Sequence, residues 1–376
     1  MGVDPWGFDL ERQALARRLR NRRLVLRGIQ TAVLLAFLIA LLTGGSVALR
    51  TWVLALGLPG WVSIAVFVSA VVGLGALLGF PLAYLGDYRS EKGFGLTDRS
   101  FGSWLRDYGK SFGLSLGSAV VVAEVVLWLL RVTPEYWWAI AWGLGVLFSF
   151  VISFLAPILL VPMFFRLRPI RDPTLRSRFE SLATAAGTPI VGIFELKAST
   201  KTRRSNAAVM GFGRTRRIVV TDTLLQAYAP EEIDNILAHE LGHQRFRDPW
   251  IGSLVGAFVS LLVAAATAAA YAASYSSFGI AAPYDMAGLP LLAFYAALLT
   301  AAVGPPELAW SRARERRADA FALGLTRQPA AFRSAMIKLH DRNLGVADPR
   351  PWEVWLFYSH PSGRERVEFT RSHAQP

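Results

Sequence analysis

The chain has 376 residues, is 53% hydrophobic and only 18% charged, and carries a formal net charge of +13. A mean hydropathy of +0.37 excludes an ordinary soluble domain and fits a polytopic membrane protein. With 0 Cys, neither a disulfide framework nor thiolate ligation is available, so any bound metal has to sit on His and carboxylate.

Residues 1–27 hold Arg12, Arg17, Arg18, Arg20, Arg22, Arg23 and Arg27 beside Trp6 and Phe8, a basic amphipathic opening. It has no short apolar core or small-residue cleavage site and does not read as a signal peptide. An uncharged run over 28–49 is long enough at 1.5 Å per residue to cross about 30 Å of hydrocarbon. Further spans are expected over 61–85, after a Pro59-Gly60 turn, and over 111–130, 136–165, within 249–284 and over 286–306. Pro305-Pro306 is expected to bend or end the sixth. Glu124, inside the third, either lines a water-filled cavity or hydrogen-bonds a neighbouring helix.

Of the 40 Lys and Arg, 38 fall in alternate connections, with Arg50 and Arg131 the exceptions. The positive-inside rule then places both termini and the polar stretch 166–248 on the cytoplasmic side. Trp61, Trp137 and Trp138 suit an aromatic belt at the outer ends. Charge distributed this way marks topology and attraction to membrane lipids, not a nucleic-acid partner.

Within 166–248 a helix is expected over 173–186, strands over 190–196, 206–212 and 217–221 with a turn at 213–216, and a second helix from Pro230. Glu231 and Glu232 suit its first turn, and Ile233, Ile236 and Leu237 form its apolar face. That helix carries His239-Glu240-Leu241-Gly242-His243. Four residues apart, the two histidines share a face and can bind one Zn²⁺ per chain, while Glu240 is placed to take a proton from the attacking water. A catalytic zinc keeps three protein ligands. Downstream, Glu315 and Asp319 share one helical face, and spacing leaves two readings: Glu315 binds metal while Asp319 orients a ligand histidine, or both pair with neighbouring arginines. The strand beginning Asn206-Ala207-Ala208 is short and carries an amide, which makes it the natural sheet edge to receive an extended peptide beside the metal. His340 and His373 have no motif around them and read as surface or capping residues.

These segments, with Ser311-Arg312, Ala318-Asp319-Ala320-Phe321-Ala322, Asn343-Leu344-Gly345 and Tyr358-Ser359-His360-Pro361, resemble the type I CAAX prenyl proteases, integral-membrane zinc metalloendopeptidases. The likeness extends to Glu91-Lys92-Gly93-Phe94-Gly95, Ala156-Pro157, Ser205-Asn206-Ala207 and Arg217-Ile218-Val219-Val220 with Asp222-Thr223-Leu224-Leu225. It implies that His239, His243 and Glu315 hold zinc, Glu240 is the general base, Asn206 holds the substrate backbone and His360 stabilises the oxyanion. It also implies a mainly α fold in which about six transmembrane helices surround a chamber, closed by a small α/β metalloprotease unit on the cytoplasmic side. The chain departs from the pattern in lacking a first span, in Leu356 and Phe357 before Tyr358-Ser359-His360, in Ser362 after Pro361, and over Gln244 to Asp248.

The expected domains are a basic N-terminus (1–27), spans one to four (28–165), the metalloprotease unit (166–249), spans five and six (250–310) and C-terminal helices bearing the third ligand (311–376). Arg outnumbers Lys 35 to 5, which points to a GC-rich bacterial genome and a plasma-membrane location. The expected partner is a peptide or protein substrate, with or without a lipid, and the oligomeric state is left open. A quality-control protease with no prenyl requirement is the alternative within the same chemistry. A non-catalytic scaffold or a transporter of lipidated peptides is the alternative outside it.

Overall fold

The computed structural model describes residues 2–211 and 213–372, the side chains of 214 and 372 excepted, so Phe212 and His373 lie outside the described residues. The Asp9 side chain accepts from the Arg12 N–H and caps α1 (Leu10–Ala40), which carries the basic opening and the first apolar run as one helix. Thr43 and Gly44, the latter at φ 122°, leave helical geometry in a wide turn over Leu41–Gly45, and α2 (Ser46–Ala55) completes the span. The turn expected at Pro59-Gly60 lies earlier, at Leu56-Gly57 with Gly57 at φ 64°, while Pro59 caps α3 (Gly60–Ala83), which passes through a wide turn over Tyr84–Arg89 into α4 (Ser90–Gly93).

Ser100 caps α5 (Phe101–Val132), of which the apolar run 111–130 is only the later part. The fourth span is shorter than expected: α6 (Trp137–Leu155) stops before Pro157, which has no N–H to continue the ladder, and a turn leads to α7 (Leu160–Phe164). Beyond the soluble segment come α11 (Asp248–Ser274) and α12 (Leu289–Thr326), described in their turn below. Among the described residues six helical segments are long and apolar enough to cross a membrane.

The sheet begins with β1 (Leu167–Pro169), which the sequence does not announce because three residues show no periodicity. After α8 (Pro173–Ala185), capped by Asp172, comes β2 (Gly192–Leu196), then β3 (Ala207–Met210) and β4 (Arg217–Thr221). Both β2 and β3 are shorter than the expected 190–196 and 206–212. The strand order is β1-β2-β4-β3, with β2 and β4 parallel and the outer pairings antiparallel. Thr221 caps α9 (Asp222–Ala227), and α10 (Pro230–Arg245) follows with Glu232 accepting from the Ala229 N–H at 2.8 Å. After α11 and α12 the chain closes with α13 (Pro329–Asn343), α14 (Pro351–Phe357) and α15 (Gly363–Ser372).

Two differences from the sequence reading matter for the site. Helix α12 does not end at Pro305-Pro306: its 38 residues run from the apolar region through Glu315 and Asp319, so the boundary drawn at 310 falls inside one helix. Helices in a membrane-bound bundle keep such prolines where neighbours re-satisfy the freed carbonyls. The soluble unit also recruits both chain ends. Ile218 and Val220 of β4 and Ile233 and Leu237 of α10 share one core with Phe332 of α13, Val367 of α15 and Phe8. The Trp6 Nε1 donates to Glu368 Oε1 at 2.8 Å. His340, read from the sequence as a surface or capping residue, is in the last turn of α13, edge-on to Phe8 and so close under Gly363 that a Cβ there would sit 2.8 Å from its ring. In the apolar layer, α3, α5, α6, α11 and α12 enclose a cavity of about 490 Å³ lined by residues such as Phe67, Ala123, Trp142 and Ala293. Glu124 is not on its wall, and its Oε1 is buried without a hydrogen-bond partner.

Candidate metal centre

Gly242 is what lets α10 and α12 meet. A Cβ at that position would stand 3.1 Å from Phe321 Cδ1 and 3.4 Å from the Ala318 Cα, and Ala318 and Ala322 are both 0% exposed. Small residues facing each other on α10 and α12 permit close approach, and the neighbours of those residues on each helix are the polar ones. His239 and His243 therefore face Glu315: one ligand atom from each of the three lies within 4.8 Å of the others.

The contacts define which atoms are available. His239 Nδ1 lies 2.8 Å from Asp319 Oδ1, and His243 Nδ1 lies 2.8 Å from Asp248 Oδ2. Each carboxylate holds the proton on Nδ1 and leaves the Nε2 lone pair pointing inward, an assignment made from the hydrogen-bond network. The two Nε2 atoms are 3.2 Å apart, and they lie 3.2 and 3.3 Å from the two Glu315 oxygens. Glu315 Oε2 is buried with no hydrogen-bond donor. Two lone pairs and a carboxylate facing one another repel unless a cation lies among them, and the set of two imidazoles and a carboxylate suits a divalent metal. Burial pulls the His239 imidazole down, but Asp319 and Glu315 outweigh it and its pKa is raised to about 9. The field that holds a proton so firmly favours a metal ion for the same reason, and the two compete.

Asp248 and Arg366 had no signal in the sequence. Asp248 reaches back to His243 because Arg247 adopts a left-handed φ of 57°, turning the chain from α10 into α11 within three residues. It is held in turn by Arg314, at 3.1 Å, and Arg317. Arg366 of α15 donates from Nε to Asp319 Oδ2 at 2.9 Å and from Nη2 to Asp319 Oδ1 at 2.5 Å, so the C-terminal helix locks the carboxylate behind His239. Of the two readings for Glu315 and Asp319, neither pairs with its own helix's arginines.

Glu240 makes no hydrogen bond among the described residues, and burial raises its pKa against the opposing pull of His239 and His243. His360 is brought to the same place, its Nε2 3.4 Å from Glu315 Oε2, with its side chain 57% exposed and Nδ1 2.8 Å from Ser359 Oγ. Strand β3 is the sheet's outer edge and packs on α10, Gln244 Nε2 reaching the Val209 carbonyl at 3.4 Å. The Thr221 N–H donates to the Asn206 carbonyl at 3.0 Å, so alternation along an antiparallel pair turns Ala208 inward and Ala207 and Val209 outward. Asn206 Oδ1 accepts the Ala207 N–H at 2.9 Å. The sequence reading treated Ala207 and Ala208 alike, and the register separates them.

Comparison with known proteins agrees with this geometry. Residues 169–374 match the model of peptidase family M48, and residues 10–166 match the CAAX prenyl protease N-terminal family, described as having five membrane helices. Up to residue 166 the described residues contain four candidate spans. A metalloprotease of Bacillus subtilis named YhfN is 30% identical over 337 residues, covering 88% of this chain and 79% of that one. CAAX prenyl protease 1 of Saccharomyces cerevisiae is 28% identical and covers 80% and 70%. The crystal structure of S. mikatae Ste24p superposes with a TM-score of 0.83 over 96% of this chain and 88% of that one, at 23% identity, and shows a common fold. A His-His-Glu cluster on two packed helices, a membrane bundle above it and family matches over both halves lead to one assignment: the chain belongs to peptidase family M48 and is a membrane-embedded metalloendopeptidase.

Proposed function

We propose that the metal is one Zn²⁺ held by His239, His243 and Glu315, and that the chain hydrolyses peptide bonds at the cytoplasmic face of a bacterial plasma membrane. The observation that carries this is the convergence of two inward imidazole lone pairs and a carboxylate whose Oε2 has no donor of its own. No thiolate is present to select a softer metal, and imidazole with carboxylate suits zinc. When bound, the ion supplies Lewis-acid chemistry, polarising the scissile carbonyl and lowering the pKa of water in the site.

The chain's own groups supply the rest. Glu240, its carboxyl pKa raised above the ordinary value by burial, accepts a proton from the attacking water and returns it to the amine nitrogen as the C–N bond breaks. His360 is placed to donate to the oxyanion, and Asp319 and Asp248 keep His239 and His243 in the tautomer that presents Nε2. The outer edge of β3 receives the substrate as an added strand, with Asn206 Nδ2 and the outward Ala207 carbonyl binding its backbone, while Ala208 keeps β3 on β4. The cytoplasmic orientation rests on the 38 of 40 cationic residues in alternate connections.

Purified protein in detergent is expected to carry about one zinc per chain, since three ligands make one site. His239→Ala and Glu315→Ala should lose most of it. Full zinc retention by Glu315→Ala would move the third ligand elsewhere and overturn the assignment. Comparing membrane peptides from cells making wild-type or Glu240→Gln protein identifies the cut sites. A lipidated cysteine upstream of every cut supports CAAX-type processing, whereas cuts in unmodified membrane proteins support quality control.

A further inference from the structure

The metal centre leaves a group of cations unexplained. Arg20, Arg23 and Arg27 recur one turn apart on a single face of α1 and meet Arg204, from the loop before β3, around adjoining cavities of about 310 Å³ each. Arg20 pairs with Glu353 at 2.6 Å, and Glu91 serves both Arg23, at 3.0 Å, and Arg204, at 3.2 Å. Asp87 stands on the wall of one cavity, and the exposed Arg27 makes no ion pair among the described residues. Four guanidinium groups thus face three carboxylates, which leaves one positive charge over. Arg20 Nη2 and Arg204 Nε are buried without a hydrogen-bond partner. Donors withdrawn from water and left without acceptors are costly, so the site is built for one more anion.

The depth of the cavity says which anion. Arg27 is the last charge before the uncharged run of α1, and Asp87 is the first after the uncharged run of α3. At 1.5 Å per residue, Arg27 and Arg23 stand about 2 and 8 Å beyond that run of α1. The headgroup layer on each side of the hydrocarbon is about 5–8 Å deep, so both belong to it. The wall changes character to match, with Leu26, Leu82 and Ala83 beside Arg27 and Arg204. One turn further into the apolar layer, Leu34 follows Gln30 of the wall and Leu78 precedes Leu82, and both leucines are exposed. A phosphate among the guanidinium groups therefore has apolar helix surface leading away from it, as the headgroup and acyl chains of a glycerophospholipid require. The guanidinium fork matches phosphate oxygens two at a time, and a phosphodiester carries the single negative charge that the cluster lacks.

We propose that the Arg20–Arg23–Arg27–Arg204 cavity binds the phosphodiester of an anionic membrane lipid, one per chain. Basic pockets beside helices that leave the bilayer suit such headgroups. The lipid joins parts of the chain that lie far apart in sequence: α1 through Arg23 and Arg27, the approach to β3 through Arg204, and the end of α14 through Arg20, which donates to the Tyr358 hydroxyl at 2.9 Å. The inference stands apart from the protease reading, because binding is measured without turnover.

The test uses the full chain in detergent, stripped of lipid, with phosphatidylglycerol, phosphatidylcholine, glycerol 3-phosphate or inorganic phosphate added. Native mass spectrometry counts lipids per chain, and thermal melting reads the gain in stability. Phosphatidylcholine carries the same phosphodiester with a compensating cation. Phosphatidylglycerol is therefore expected to bind about ten- to a hundredfold more tightly, as charge-assisted hydrogen bonds allow, and to saturate at one per chain. The two soluble phosphates lack acyl chains and should leave the melting temperature unchanged at matched concentration. Arg27→Gln and Arg204→Gln should bring the ratio between the two lipids toward one. Arg22→Gln removes the same charge from an exposed position of α1 off the cavity wall, and it should leave the ratio as it is. Equal binding of the two lipids overturns the proposal. So does an Arg22→Gln protein that loses as much preference as Arg27→Gln, which would reduce the effect to general attraction to an anionic surface. Stabilisation by inorganic phosphate equal to that by phosphatidylglycerol also overturns it and assigns the cavity to a soluble anion.

Discussion

Replacing Gly242 by Ala tests whether the contact between α10 and α12 sets the metal geometry. Two effects oppose each other. Ala in a helix interior is favoured over Gly by about 1 kcal/mol. The new Cβ would lie 3.1 Å from Phe321 Cδ1 and 3.4 Å from the Ala318 Cα, so the helices must separate by a few tenths of an ångström. Neither neighbour yields easily: Phe321 is braced by the Phe246 ring at 5.6 Å, and Ala318 presents backbone. Overpacking of this kind costs about 1–3 kcal/mol, so the net loss of stability is about 0–2 kcal/mol, small enough for the variant to fold. Metal binding is less forgiving, because ligand distances hold within about 0.2 Å. A shift that carries Glu315 away from His239 and His243 should weaken zinc by about 10- to 100-fold, the range seen when a ligand's support is disturbed. Competition titration against a metal buffer reads this directly, with melting of the metal-free protein alongside. Gly324→Ala is the control: it lies on α12 with nothing within 4 Å, and it should gain stability without touching zinc affinity. A Gly242→Ala protein with wild-type zinc affinity would refute the reasoning.

Other substitutions separate the remaining roles. Glu240→Gln should lower peptide cleavage by orders of magnitude while zinc content stays constant, and unchanged cleavage would remove it as the base. His360→Ala should cost about 10²- to 10³-fold in kcat, the usual loss of one oxyanion donor; a tenfold rise in KM alone would give it a binding role instead. Ala207→Pro should impair cleavage with sheet and zinc intact because its N–H faces outward and holds only the Asn206 side chain, whereas Ala208→Pro should lower the melting temperature as well. For His340, burial holds the pKa down at about 4, against an ordinary value of 6.5. The unfolded chain therefore takes up the proton first. The stabilisation is full above about pH 6.5 and is lost as the pH falls toward 4, at most about 3 kcal/mol from the size of the shift. Melting temperatures from pH 7.5 to 4.5 should flatten in His340→Gln, and parallel curves for the two proteins would exclude His340 as the cause.

What the sequence made legible was carried by local repetition. Uncharged runs gave six spans because a bilayer needs about 20 apolar residues in succession, and four-residue spacing put His239 and His243 on one face without any knowledge of the rest. Glu315 was legible as a candidate, yet spacing alone could not choose between a neighbouring arginine and the facing histidines. That choice depends on Gly242 and Ala318, whose small size matters only once α10 and α12 are seen packed. Asp248 and Arg366 were out of reach for a related reason: one acts through a left-handed residue at a helix junction, the other through a helix 47 residues beyond its partner Asp319. The N-terminal segment read as a basic amphipathic opening, and nothing local showed that its Trp6 and Phe8 pack on the core of the soluble unit.

The continuity of α12 through Pro305-Pro306 changes how the two halves of the molecule relate. At one end the helix contributes Pro290, Leu292, Ala293 and Ala296 to the wall of the apolar cavity, and near the other it presents Glu315 and Asp319. A helix of 38 residues spans about 57 Å at 1.5 Å per residue, well beyond the bilayer core, so Glu315 stands outside the apolar layer on a support anchored within it. The His-bearing helix is no part of a span itself; its seat is the soluble core, through Ile233, Ile236 and Leu237, and it joins the span α11 through the Arg247 turn. The metal centre therefore lies at the joint between a membrane-anchored helix and a soluble core, with the Arg366–Asp319 pair fastening α15 to α12 and the Arg314–Asp248 pair fastening α12 to the start of α11. Detergents that loosen the bundle should reach Glu315 before they reach His239 and His243. Loss of metal is then expected to precede loss of the soluble fold on delipidation, the opposite of the order for a site held within a single soluble domain.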